Sequence, residues 1–248
     1  MDGRVDHGVA AVVLAGGSGV RVGQGRNKAY LPISGRTAVG MSLRTMATVP
    51  GLRRLVLVVR EGDEELAEQT LDEEFPRPPV PVELVRGGAT RHGSEECALH
   101  HLEPAIRSSA VDLVLIHDAA RPLCSPGLVA ELVRTAAAHG GAVPGLVAGD
   151  LAVAVADGGL VRLPGSHIRV QTPQVFAAAP LLAAYRKAAE AGFDGTDTAA
   201  CVERFSSLSV RFVAGEQQNF KITYPQDVYA ADRFARTAAH RDLRSPED

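Results

Sequence analysis

Two cations set close behind a glycine turn are the first residues in this chain that could do chemistry. Arg21 and Lys28 follow Gly16-Gly17-Ser18-Gly19, and that turn in turn follows the apolar run from Val9 to Ala15. Small residues let the backbone turn sharply and present N–H groups to an anion, and cations beyond them would neutralise a polyphosphate. The loop is of neither familiar type. A Walker loop closes on Gly-Lys-Ser/Thr, which is absent, and the dinucleotide fingerprint counted from Gly17 meets Val22 where its last glycine belongs. Taken alone, the stretch reads equally well as a glycine turn followed by solvated surface cations.

The elements that would position these residues follow a regular pattern. Val9–Ala15, Leu55–Val59, Val82–Val85 and Val111–Ile116 are apolar runs of strand length. Helical spacing places helices at Thr37–Ala47, about Asp63–Leu71, about Arg91–Ile106 and about Pro126–His139, with a proline-rich connector at Phe75–Pro81. Strands alternating with helices predict an α/β fold with a mostly parallel sheet. Ala15-Gly16-Gly17, Gly87-Gly88 and Asp118-Ala119 each lie at the carboxyl end of an apolar run, which is where open α/β sheets hold ligands. Two glycine turns and a carboxylate at such ends describe a nucleotide site.

The second half departs from this alternation. A strand at Ala142–Val147 leads to Asp150, and the apolar runs on either side of Asp157-Gly158-Gly159 predict a β-hairpin. Both of its faces are apolar, so it is expected to pack on another subunit; the alternative is that it folds back on its own domain. A polar turn at Gln171–Gln174, a helix at Leu181–Ala191, a strand at Leu208–Val213 and a last helix at about Gln226–Ala239 complete the chain, before a charged tail expected to be disordered.

The composition narrows the setting. With 248 residues there is ample chain for a large core, and a net charge of −3 gives no reason to expect nucleic acid or a membrane surface as partner. Any anion must be met by local clusters of cations. Cys97, Cys124 and Cys201 are scattered and lack metal-ligand spacing, which predicts reduced thiols in a cytoplasmic protein. The first apolar run is too short to span a bilayer and no targeting segment is visible.

Seven motifs, in order, resemble one family. They are Leu14–Arg21 (LAGGSGVR), Asn27–Leu31 (NKAYL), Gly87–Ser94 (GGATRHGS), His117–Pro122 (HDAARP), Gln171–Gln174 (QTPQ), Thr196-Asp197 and Asn219–Asp227 (NFKITYPQD). On these the chain resembles the 2-C-methyl-D-erythritol 4-phosphate cytidylyltransferases of the non-mevalonate isoprenoid pathway. The resemblance implies a single nucleotidyltransferase domain over residues 1–248 with a Rossmann-like core, a protruding β-arm at about 150–165 exchanged in a homodimer, and a tail at about 240–248. It implies CTP as co-substrate, Mg²⁺ as cofactor, a polyol phosphate as acceptor and pyrophosphate as product. Both reactants are polyanions, so catalysis would be mostly positioning and charge stabilisation. By the resemblance, Arg21, Lys28 and Lys221 are catalytic: the first two stabilise the triphosphate and Lys221 holds the attacking phosphate. Ala15, Gly16, Gly17, Ser18, Gly19, Gly88, Arg91, Ser94, Asp118 and Ala119 form the nucleotide side, with Asp118 also the metal ligand. Arg121, Asp150, Thr196 and Lys221 face the acceptor.

The acceptor side departs from the family pattern. Pro164 stands where an arginine is expected, with Arg162 or Arg169 as candidates to replace it, and Leu151 stands for a threonine. The pattern T-D-D/E-A-S reads Thr196-Asp197-Thr198-Ala199-Ala200, losing an acid and a hydroxyl, and Asn27 replaces a usual proline. These departures leave two alternatives beside the methylerythritol phosphate reaction: the same chemistry on another polyol phosphate or phosphonate, or a CTP-binding paralogue without turnover. A sugar 1-phosphate nucleotidyltransferase would share the glycine loop without HDAARP or QTPQ.

Overall fold

Strand β1 (Val9–Leu14) is buried along its whole length, and its side chains alternate between two cores. Val9, Ala11 and Val13 enter one apolar cluster, while Ala10, Val12 and Leu14 enter the other. A strand covered on both faces needs no polar face, which is why this run is continuously apolar. The structure, a computed structural model, describes residues 7–17, 27–149, 151–156 and 158–242.

After β1 come a 3-10 turn (Lys28–Tyr30), β2 (Pro32–Ile33), β3 (Arg36–Thr37), α1 (Ala38–Met46), β4 (Leu52–Val59), α2 (Glu64–Glu74), β5 (Val82–Arg86), α3 (Arg91–Arg107), β6 (Leu113–Asp118) and α4 (Pro126–His139). The second half holds β7 (Gly140–Ala148), β8 (Ala152–Ala154), β9 (Leu160–Arg162), β10 (His167–Val170), β11 (Gln174–Ala177), α5 (Ala178–Glu190), α6 (Thr198–Phe205), β12 (Ser209–Ala214) and α7 (Pro225–Asp242). The sheet runs β5-β4-β1-β6-β11-β7-β12, with β10 continuing the line of β11 along β7. β5, β4, β1 and β6 are mutually parallel, and β11 runs antiparallel between β6 and β7. The expected α/β sheet, mostly parallel and flanked by helices, is therefore present. The first core packs residues of α1 and α4 on one face; the second packs α3, α5 and α6 on the other.

Local chemistry sets the element ends. Ser125 caps α4 by accepting from Leu128 N–H at 3.1 Å, Pro126 opens it, and Gly140 closes it at φ +98°, the arrangement that serine, proline and glycine favour at those positions. Thr90 caps α3 through Gly93 N–H at 3.0 Å.

Besides the short 3-10 turn and the β2–β3 pair, three elements lie outside the sequence expectation. β10 and β11 flank the QTPQ turn, which the sequence presents as a turn alone. β11 is four residues and starts on a buried glutamine, so no apolar run announces it. α6 is capped by Asp197, which accepts from Ala200 N–H at 2.8 Å, and buries Thr198, Cys201 and Val202; that i, i+3, i+4 stripe is visible in the sequence but brief. The last helix extends to Asp242, a little past the expected end near Ala239. Residues 243–248 lie outside the described residues.

The hairpin forms as expected. β8 and β9 pair antiparallel, Ala152 with Arg162 and Ala154 with Leu160, as a two-stranded sheet separate from the main one. Val153, Leu160 and Val161 are exposed on it. It does not fold back into the main sheet.

Candidate active site

The carboxyl ends of β1, β4, β5 and β6 open into a cavity of about 770 Å³. Its wall is built from the turn after β1 (Ala15, Gly16, Gly17), the turn after β5 (Gly87, Gly88), the first turn of α3 (Thr90, Arg91, Ser94), Lys28, Asp118 and Lys221. The glycine pair after β5 is required by close approach: a Cβ on Gly87 would lie 2.7 Å from Ser94 Oγ, and one on Gly88 2.8 Å from the Gly93 carbonyl carbon. Glycine thus lets β5 deliver its end against the N-terminus of α3, where free N–H groups and the helix dipole favour an anion.

Asp118 is the centre of the charge arrangement. It is buried, and its carboxylate accepts from Arg91 Nε at 3.0 Å on Oδ1 and from Lys221 Nζ at 2.7 Å on Oδ2. Burial by itself would raise its pKa; the Arg91 and Lys221 charges outweigh that and hold the carboxyl far below the usual carboxylate range. Two elements distant in sequence, α3 and the loop before α7, are thereby clamped on one carboxylate.

The backbone at Asp118 is fixed from below. Its N–H donates to Thr172 Oγ1 at 3.0 Å, the Thr172 hydroxyl is 3.2 Å from His117 Nδ1, and His117 Nε2 is 3.1 Å from the Arg121 carbonyl. With Nε2–H donating to that carbonyl and Nδ1 accepting from the hydroxyl, His117 is neutral, and burial pushes its pKa down to about 4. This explains why a polar QTPQ turn lies in the interior: it orients the HDAARP turn.

Lys28 is set by Asn27. The Asn27 side chain donates to the Ala15 carbonyl at 2.6 Å and to Asp63 Oδ2 at 2.8 Å, and accepts from Ala29 N–H at 3.1 Å. Asparagine thus ties the Lys28 turn to the end of β1, a task that a proline at this position could not do.

Of the nominated residues, Ala15, Gly16, Gly17, Lys28, Gly88, Arg91, Ser94, Asp118 and Lys221 line one cavity. Ser18, Gly19, Arg21 and Asp150 lie outside the described residues. Ala119 belongs to the core rather than the cavity wall: it is fully buried and donates its N–H to the Leu14 carbonyl at 3.0 Å, while Ala120 lines the cavity. Arg121 reaches the Asn219 carbonyl at 2.8 Å and braces the loop that carries Lys221. Thr196 is exposed in the turn before α6, away from the cavity lining; the buried threonine is Thr198. Arg162 and Arg169 are both exposed.

Sequence reasoning missed Glu95, Asn27 as a positioning residue, and the His117–Thr172 pair. Glu95 left a signal: it falls on the helical stripe of Ala98, Leu99, Leu102 and Ile106, where an acid has no business without partners. Among the described residues no group of three or more acidic, histidine or cysteine side chains is gathered for a metal ion.

A parallel α/β sheet that gathers glycine turns, a helix N-terminus and several cations around one ionised carboxylate at its carboxyl edge defines a nucleotidyltransferase. Residues 9–237 match the family of 2-C-methyl-D-erythritol 4-phosphate cytidylyltransferases. The chain is 37% identical to the enzyme of that name from Pelotomaculum thermopropionicum over 227 residues, covering 90% of this chain and 92% of the relative. It is 34% identical to that of Cereibacter sphaeroides over 236 residues, covering 93% and 98%. Among solved structures it resembles 4-diphosphocytidyl-2C-methyl-D-erythritol synthase from Anaerococcus prevotii, with a TM-score of 0.79, 26% identity and coverage of 93% and 99%. The cytidylyltransferase of Thermus thermophilus gives a TM-score of 0.68 at 30% identity, covering 92% and 99%. The chain belongs to the 2-C-methyl-D-erythritol 4-phosphate cytidylyltransferase family.

Proposed function

We infer that the protein transfers CMP from CTP to the phosphate of 2-C-methyl-D-erythritol 4-phosphate, giving the CDP-linked polyol and pyrophosphate in isoprenoid precursor synthesis. Family membership supports this reading, and the observation that carries it locally is the Arg91–Asp118–Lys221 cluster set opposite Lys28 in one cavity. An acceptor phosphate oxygen attacks the α-phosphorus, and the bond from that phosphorus to the pyrophosphate oxygen breaks. No proton need move; charge shifts onto the leaving group. Lys28, with Arg21 from the same loop, neutralises that charge, and Lys221 holds the attacking phosphate. The turns at Ala15–Gly17 and Gly87–Gly88, with Ser94, surround the nucleotide; Ser18 and Gly19 on the nucleotide side, and Arg121, Asp150 and Thr196 toward the acceptor, are assigned by the family resemblance alone.

The residues present fit a Mg²⁺ ion. Asp118 is an ionised hard oxygen donor in the cavity, and a carboxylate that accepts one hydrogen bond on each oxygen retains lone pairs; magnesium commonly takes one or two carboxylates and completes its shell with phosphate and water. When bound it would neutralise phosphate charge.

The reaction is tested by incubating protein, CTP, Mg²⁺ and the acceptor and measuring pyrophosphate. Lys28→Ala is expected to lower kcat/KM on the order of a hundredfold, the usual effect of removing one charge contact to the transition state. Absence of release by the wild-type protein above this variant would refute the assignment.

We also propose a homodimer joined through the β-arm. Val153, Leu160 and Val161 of the arm are exposed, as are Val147, Ile168 and Phe212 on β7, β10 and β12. So much apolar surface on an isolated hairpin and the neighbouring sheet edge suits a second copy of the chain. Leu160→Asp with Val161→Lys is expected to convert a dimer to a monomer in light scattering; an unchanged mass would exclude the arm as the interface. Cys97, Cys124 and Cys201 are free thiols, which suits a cytoplasmic setting. Among the described residues no helix is long and apolar enough to cross a membrane.

A further inference from the structure

Glu95 lies on α3 one turn after Arg91, completely buried on the face that packs Ala98, Leu99 and Leu102 into the core. Burying a carboxylate costs several kcal/mol unless it is paired and fully hydrogen-bonded. Its partners meet that demand. Oε1 receives Arg91 Nη1 at 2.7 Å and also the Thr198 hydroxyl of α6, while Oε2 receives the Tyr185 hydroxyl of α5 at 2.7 Å. Burial pushes its pKa up, and Arg91 with the two hydroxyls opposes that in part; the guanidinium at 2.7 Å is the partner that a buried carboxylate requires.

This carboxylate does not line the cavity, yet it holds a residue that does. Arg91 reaches outward from Glu95 and places Nε on Asp118 Oδ1. Its third nitrogen, Nη2, is buried and has no hydrogen-bond partner among the described residues. Arg91 is therefore clamped at one edge and committed at the second, with a donor left at the third. A guanidinium held in this way loses little entropy when it meets a further acceptor.

The position of Thr198 completes the argument. The family pattern has an acid there, and this chain has a threonine whose hydroxyl touches the same Glu95 oxygen that Arg91 touches. At this contact α6 contributes a hydroxyl and no charge, and the negative charge stands on α3. We propose that Glu95 is the positioning residue for Arg91, supplying from α3 the acid that position 198 lacks, and so setting the guanidinium for the nucleotide. The inference rests on the nucleotide-site reading given above.

CTP affinity by calorimetry and kcat/KM by pyrophosphate release should be measured for wild type, Glu95→Gln, Glu95→Ala and the double variant Glu95→Ala with Thr198→Glu. Glu95→Gln keeps the volume and one acceptor oxygen for Arg91 but loses the charge and turns the other acceptor into a donor, and is expected to weaken CTP binding about tenfold, the size typical of coupling through one supporting contact. Glu95→Ala should lose more. The double variant should regain most of that loss, because the carboxylate introduced at position 198 can reach the vacated place beside Arg91. A folded Glu95→Gln protein with wild-type CTP affinity would overturn the proposal, as would a folded double variant no better than Glu95→Ala. If Glu95→Ala does not fold, Glu95→Gln decides alone. Wild-type protein that binds CTP without releasing pyrophosphate would sink the transferase reading and leave the binding comparison to decide this one.

Discussion

Asp118→Asn is expected to lower kcat/KM about a thousandfold, at the upper end for loss of one electrostatic contact in a catalytic site, and to cost stability as well. The variant keeps the shape of the side chain and removes only its charge. An asparagine can accept from Arg91 or from Lys221 through its one oxygen, but its amide then points two N–H donors at the other cation. Arg91 and Lys221, drawn together by Asp118 in the native protein, would repel one another, and both would leave the positions from which they meet phosphates. Breaking a buried pair from one side costs roughly 3 kcal/mol or more. Lys221 is 38% exposed and so contributes little to that figure, whereas Arg91 is 21% exposed and contributes most of it. A fall in melting temperature of about 8 °C follows for a domain of this size. Because the loss arises in one cluster, adding Lys221→Met to Asp118→Asn should cost less than the sum of the separate effects. Retention of activity within about threefold, or strict additivity in the double variant, would remove Asp118 from the centre of the site.

The parts of this site that are legible in the sequence are those built from local signals. The apolar run ending in glycines marks β1 and its turn, Ser125-Pro126 and Gly140 bound α4, and Asp118 stands at the end of an apolar run before a turn. Each is a statement about neighbours along the chain. What cannot be read is what joins residues far apart. Glu95 meets Thr198 across 103 positions and Asp118 meets Lys221 across another 103; only the family resemblance brings Lys221 to notice, and the one local sign of Glu95, an acid on an apolar helical stripe, names none of its partners. The motif around Thr196 shows the same limit. Its two threonines are two residues apart, and the start of α6 sends Thr198 into the core and leaves Thr196 outside. β10 and β11 escape the sequence for a related reason: their pairing with β7 and β6 is tertiary, and the buried Gln174 and Gln171 that serve it look like turn residues.

His117 makes the same interior polar chemistry measurable by pH. Its pKa in the folded state is pushed down to about 4, first by burial and then by the Arg121 charge, against the opposing pull of Asp118. In the unfolded chain a histidine titrates near 6.5. Between these values the unfolded state holds the proton and the folded state does not, so stability falls as pH falls from about 6.5 towards 4 and levels off below. The full difference corresponds to about 3 kcal/mol, at about 1.4 kcal/mol for each pH unit. The structural cause is specific: a proton on Nδ1 would face the Thr172 hydroxyl, which must then turn its own proton away while still accepting from the Asp118 N–H. Most carboxylates titrate near pH 4 in unfolded chains and contribute little within this window. Two other groups do contribute. His92, lowered by burial, acts in the same sense, whereas Glu95, raised by burial, binds its proton more readily when folded and acts in the opposite one. The comparison with His117→Gln removes both from the difference. Denaturant unfolding of chelator-treated protein from pH 7 to 4 should show the wild type losing roughly 3 kcal/mol relative to the variant. The variant starts less stable at pH 7, because glutamine cannot span from Thr172 to the Arg121 carbonyl as the imidazole ring does. Parallel curves for the two proteins would mean that His117 takes up its proton as readily in the fold as in the unfolded chain, and that its Nδ1 does not depend on the Thr172 hydroxyl proton.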